Sequence, residues 1–192
     1  MTNKPEQAVE RTLEEQREEF TQRRLMAMPL AGTLVWIIIG LAGLFLPERT
    51  TVWVLYAGTG SIAYLGFFLS RFTGEHLLDK NRPNNTFDRL FFISMAMALL
   101  VFAIALPFAA IDHTSLPMTV GILTGLMWMP LSWIINHPVG IFHTVSRTIL
   151  VLALWYLLPD MRFVAIPAVI VAVYIVTLFV LNKRWQALQP NI

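Results

Sequence analysis

The chain of 192 residues contains no cysteine, so neither a disulfide framework nor a thiolate metal site can be built from it, and its redox compartment stays open. Charge is scarce: charged residues make up 14% of the sequence against 56% hydrophobic. With a mean hydropathy of +0.62, that balance excludes an ordinary soluble domain. No glycine-rich phosphate loop, nucleophile elbow or nucleotide motif occurs, and no cofactor is implied. The basic residues are scattered, so nucleic acid is not indicated as a partner.

What the chain does have is six long apolar runs, 28–46, 52–70, 90–110, 118–135, 139–158 and 163–181. Each is close to the ~20 residues a helix needs to cross a hydrocarbon core about 30 Å thick. The expected fold is all-α: a polytopic membrane bundle of six transmembrane helices in three hairpins, with the lipid bilayer as solvent. Leu46-Pro47, Leu106-Pro107 and Leu158-Pro159 are each expected to end an odd-numbered helix at the outer face. A parallel internal repeat and the ordinary tendency of proline to stop helices explain that pattern alike. The domain reading is an amphipathic helical arm (1–27), the six-helix domain (28–184) and a tail (185–192).

The arm mixes Glu6, Glu10, Glu14, Glu15, Glu18 and Glu19 with Lys4, Arg11, Arg17, Arg23 and Arg24. Acids this early are unlike a secretory signal, and Glu19 and Arg23 stand at the spacing of a helical ion pair. Val9, Leu13 and Phe20 form a thin apolar stripe for the bundle, the membrane surface or a partner. Arm residues, the 71–89 loop (Arg71, Lys80, Arg82, Arg89), Arg147, Lys183 and Arg184 place twelve of the fourteen basic residues on one side; only Arg49 and Arg162 fall on the other. The positive-inside rule then makes both termini cytoplasmic.

One stretch carries polar chemistry where the pattern demands membrane: Asn136-His137-Pro138, followed by His143, Thr144 and Arg147. An apolar run beginning only at Thr148 would reach Leu158 after roughly 16 Å, too short to span. The helix must therefore start near Val139, which places His143 and Arg147 inside it on one face with Thr144. Arg147 then lies roughly 12 Å deep, beyond easy snorkelling, and must face protein or a wet cavity. Asn136, His137, His143, Thr144 and Arg147 are the candidate ligand-binding residues, suited to a small anionic solute or a lipid headgroup. The bland reading pairs Arg147 with Asp88, or lets it cap a carbonyl freed by Pro130, with His137 at the water interface. Pro130 is expected to kink the fourth helix and release the Leu126 carbonyl to Arg147 or Ser132.

Glu75, His76 and Asp79 could join His137 and His143 as metal ligands for a membrane hydrolase, but their spacing matches no metal motif and a solvated loop is the ordinary reading. No metal site is assigned. Trp53, Trp133, Trp155 and Tyr156 suit interfacial positions, whereas Trp36 and Trp128 sit deep enough for either core packing or a ligand cavity. Gly40, Gly43, Gly121 and Gly125, with Ala57, Gly58 and Ser61, permit close helix approach within one subunit or at a homodimer seam.

The join Arg23-Arg24-Leu-Met-Ala-Met-Pro-Leu-Ala-Gly-Thr-Leu-Val-Trp-Ile-Ile-Ile-Gly-Leu-Ala-Gly43 resembles an uncharacterised group of small bacterial six-helix membrane proteins. These likewise run a short acidic-basic arm into a glycine-rich helix containing Val-Trp. The resemblance implies a six-helix fold in a bacterial inner membrane and brings no activity or catalytic residues. The functional expectation is passage or binding of a small solute or ion at the polar site on the fourth and fifth helices. An accessory subunit presenting its arm to a partner is the alternative, and a membrane enzyme the third.

Overall fold

A computed structural model of the chain describes residues 11–79 and 82–189; Lys4, Glu6, Val9, Glu10 and Lys80 lie outside them. Among the described residues the chain is helical with no strand. Six helical stretches are long and apolar enough to cross a membrane. The first is α2 (Ala27–Phe45) and the second α3 (Glu48–Ser70). The third is interrupted at Val101 into α4 (Thr86–Leu100) and α5 (Phe102–Ile111), and the fourth at Leu126 and Met127 into α6 (Leu116–Gly125) and α7 (Trp128–Ile134). The fifth is α8 (Val139–Leu157) and the sixth ends in α9 (Arg162–Ala187). A short helix, α1 (Leu13–Thr21), precedes them.

Several helices extend beyond their apolar runs because lipid thickness limits only the hydrophobic stretch. Glu48 and Arg49 open α3, and α4 starts at Thr86 because the Asn85 side chain accepts from the Phe87 N–H. Pro47 and Pro159 stand at helix boundaries as expected. Pro107 does not: α5 continues past it to Ile111, so the leucine-proline pattern fails at its middle member. Pro130 has the expected local effect with a different remedy. The Leu126 carbonyl accepts from the Met129 N–H at 3.1 Å, a tight turn that needs neither Arg147 nor Ser132. Ser132 instead donates to the His137 carbonyl at 2.7 Å.

The core lies where α2, α8 and α9 meet α6, with Trp36, Ile39, Val120, Val151, Ile166 and Ile170 fully buried. Outward faces stay apolar, as in Ile38, Leu44, Ile104 and Ile149, which is the surface lipid requires. Gly43 meets the Phe163 backbone, Gly40 the Pro167 ring and Gly121 the Ile170 side chain, so these small residues serve packing within the chain.

The arm is docked. Thr12 and Glu15 form a reciprocal capping box at the start of α1, fixing two otherwise orphan N–H groups. Phe20 is buried against Phe91, whereas Leu13 is exposed. Arg17 donates to the Ile134 and Trp133 carbonyls at 3.0 and 2.6 Å, and the Asn85 amide reaches the Gln16 carbonyl at 2.7 Å. Arg23 forks onto Asp88 and pairs with Glu19 at 3.1 Å. Burial opposes its charge, but Asp88 and Glu19 outweigh that and hold the Arg23 guanidinium above its usual pKa. Arg184 of α9 donates to the Thr21 carbonyl.

Candidate functional site

Arg147 stands eight residues into α8 and is 1% exposed. None of the ion pairs among the described residues includes it, and Asp88, its expected counter-ion, is taken by Arg23. Its neighbours come from three other helices. Nη2 donates to Thr124 Oγ1 of α6 at 3.0 Å, and Nη1 to the Tyr174 hydroxyl of α9 at 3.3 Å. The Trp36 ring of α2 lies 5.5 Å from Cζ and the Tyr174 ring 5.4 Å, within cation–π range. Gly125 makes room: a Cβ there would stand 3.0 Å from Arg147 Cδ.

His143, one turn before Arg147, is fully buried. Its ring stacks on Trp128 at 4.5 Å and meets Tyr174 edge-on at 4.7 Å. Thr177 Oγ1 donates to the Val173 carbonyl at 2.8 Å and so accepts from His143 Nδ1 at 2.9 Å. That assigns the proton to Nδ1 and leaves Nε2 as an acceptor 3.4 Å from Arg147 Nη1, since a neutral imidazole has one donor and one acceptor nitrogen. Two buried donors remain without partners, Arg147 Nε and Trp36 Nε1; such groups ordinarily meet water or a ligand.

Thr124, Trp128 and Tyr174, which hold Arg147 and His143, also form the inner wall of a cavity of about 290 Å³. Its outer wall is α3 and α4, where Tyr64 and Leu99 are exposed. The lining is apolar apart from a few hydroxyls. Thr59 and Thr124 direct theirs to the Leu55 and Val120 carbonyls, both at 2.6 Å. The Tyr174 hydroxyl accepts from Arg147, and its own proton has no acceptor among the described residues.

The structure thus brings His143 and Arg147 together, with Thr144 beside them binding the Gly125 carbonyl at 3.0 Å. Thr144 fastens α8 to α6 and does not touch the guanidinium. Asn136 and His137 are not part of this cluster. Asn136 is an exposed turn residue with φ of 48°, and His137 Nδ1 accepts from the Val139 N–H at 3.2 Å, capping α8. Burial, then the nearby Arg184, holds the His137 pKa below its usual value. Sequence reasoning missed Thr124, Tyr174 and Thr177 and left Trp36 between core and cavity. The signal available was Tyr174 and Thr177, hydroxyls three apart and hence on one face of an apolar helix.

Among the described residues no group of three or more histidines and acids could hold a metal. Glu75 Oε1 instead accepts from the Met26 and Ala27 N–H groups at 2.7 and 2.8 Å, capping α2 from the loop after α3. Burial pushes its carboxyl above the ordinary range.

The chain matches the model of a family of unknown function, DUF7010, over residues 13–184. It belongs to that family. The DUF7010 match opens at the first residue of α1 and closes at Arg184 within α9, so it takes in α1, the first five apolar helices, most of the sixth and the whole Arg147 cluster. No curated protein and no solved structure matches the chain.

Proposed function

We propose that this DUF7010 protein binds a small ligand with one negatively charged, hydrogen-bond-accepting end inside the bundle, at the Tyr174 and Arg147 face of the cavity. The observation that carries this is a fully buried arginine with no carboxylate partner among the described residues, placed directly behind a cavity wall. A guanidinium keeps its charge, and a desolvated charge favours an opposite one. The Tyr174 hydroxyl, which accepts from Arg147 and lines the cavity, carries that preference to the cavity wall.

Binding is favoured over passage because the cavity lies between α3 and α4, toward the lipid-facing surface. The accessory reading has less support, since α1 is engaged by its own bundle through Arg17, Arg23 and Gln16. The enzyme reading needs converging acids and histidines, and Glu75 is committed to backbone amides. We place the protein in a bacterial inner membrane with both termini cytoplasmic; the sorting of basic residues supports this.

The test is thermal unfolding and native mass spectrometry of purified protein with carboxylates from acetate to laurate. At least one is expected to bind one per chain and raise the melting temperature. Arg147→Met should abolish that response, and the cooperative melting transition of the unliganded variant checks that it is folded. Equal responses from both proteins, or none from wild type, overturn the reading.

A further inference from the structure

We propose that the ligand is a single-chain fatty acid taken from the bilayer, its carboxylate on the Tyr174 hydroxyl and its chain in the window between α3 and the α4–α5 pair. This rests on the reading of the Arg147 site given above and adds the chemical class.

The window has a definite frame. The helices on its two sides meet at two aromatic pairs, Phe67 with Phe92 at 6.0 Å and Tyr56 with Phe102 at 6.2 Å between ring centroids. Between the pairs the lining includes the small or flexible residues Gly60 and Ala63 on α3 and Ala96 and Leu99 on α4, with the exposed Tyr64 at its outer edge. From Tyr56 to Phe67 a helix rises about 16 Å, close to half of a hydrocarbon core about 30 Å thick. A slot of one leaflet's depth, lined by carbon and open toward lipid, suits an acyl chain rather than a hydrated solute.

The polar end of the slot selects the head. Thr59 and Thr124 turn their protons to backbone carbonyls, whereas the Tyr174 hydroxyl, which accepts from Arg147, keeps its own proton for a ligand. One donor backed by one guanidinium 3.3 Å away fits an acceptor with a single negative charge. A phosphate would bring a second charge with nothing to balance it, an expensive state in low dielectric. A neutral alcohol would leave the arginine unmatched.

The experiment uses the full chain in a neutral sterol-based detergent, which carries no single acyl chain, and measures binding at fixed free ligand by native mass spectrometry and thermal shift. Affinity is expected to rise from butyrate to laurate by about fourfold per added methylene. Laurate should exceed both dodecanol and lauryl phosphate by at least about tenfold. Gly60 has nothing within 4 Å of an added Cβ, so Gly60→Leu is expected to fold and to weaken laurate more than the shorter carboxylates of the series. Acetate binding as tightly as laurate, with Arg147 still required, overturns the chain assignment and leaves the site reading standing. Dodecanol or lauryl phosphate equalling laurate overturns the carboxylate assignment. Loss of Arg147 dependence throughout overturns both readings.

Discussion

At the scale of single residues, Arg147 illustrates how a cation is kept in an apolar bundle without an acid. Two rings face it and three acceptors take its N–H groups: Thr124, Tyr174 and His143. Hydrogen bonds to a charged group stabilise by about 1.5–3 kcal/mol each, and a desolvated cation–π contact adds about 2. Together these offset part of the several kcal/mol by which burial disfavours the charge. Glycines give a test of packing at the same scale. Gly140 leaves no room, since an added Cβ would meet the Trp128 carbonyl oxygen and lie 2.9 Å from Ser132 Oγ, whereas Gly60 faces open space. Gly140→Ala is therefore expected to lower stability by about 1–3 kcal/mol. Gly60→Ala should raise it by up to about 1 kcal/mol, the helix-propensity difference. Denaturant or thermal unfolding of the two variants checks the contrast. Arg147 and its burial were legible in the sequence, since a helix starting after it would be too short to span. Its partners were not legible, because Trp36, Thr124 and Tyr174 reach it through the rotation of three separate helices about their axes, which spacing along the chain leaves undetermined.

At the scale of elements, the six spans were legible because each repeats a long apolar run bounded by charge or proline. Their interruptions were only half legible. Pro130 marks the break between α6 and α7, while Pro107, an apparent terminator, is carried inside α5. The cap of α2 was hidden for another reason: Met26 offers no side-chain oxygen, and the acceptor comes from Glu75, far along the chain. Glu75→Ala leaves both N–H groups without an acceptor and is expected to cost about 1–3 kcal/mol. Glu75→Gln keeps the accepting oxygen and should cost much less. Because the folded state raises the Glu75 pKa, it binds the proton more tightly than the unfolded chain, whose value is near 4.5. Stability from this group is thus full below that pH and declines as pH rises through the raised value. Melting curves between weakly acid and neutral pH should show that decline in wild type and a flatter profile in Glu75→Gln.

At the scale of the whole molecule, the arm is a clamp across the end of the bundle where α2 begins and α9 closes. The Arg23 side chain is 9% exposed and answers to Asp88 at the start of α4. Removing Asp88 leaves a nearly buried charge with Glu19 alone, and Asp88→Asn is expected to weaken docking of α1 by about 1–3 kcal/mol. Limited trypsin digestion should then cut at Arg17 or Arg23 faster, while unfolding of the six-helix body changes little. Cleavage at the wild-type rate would show that the other contacts of α1 suffice. The arm's charges were legible; that they turn inward was not, because sequence spacing revealed only the Glu19–Arg23 pair.

The hydrogen bond from Arg184 to the Thr21 carbonyl joins residues 163 positions apart, and α9 also packs along α2. During synthesis α1 leaves the ribosome long before α9 and therefore waits for it before its seat is complete. A nascent chain stalled ahead of α9 would leave open the seat on α2, α8 and α6 that α9 takes, for lipid to fill.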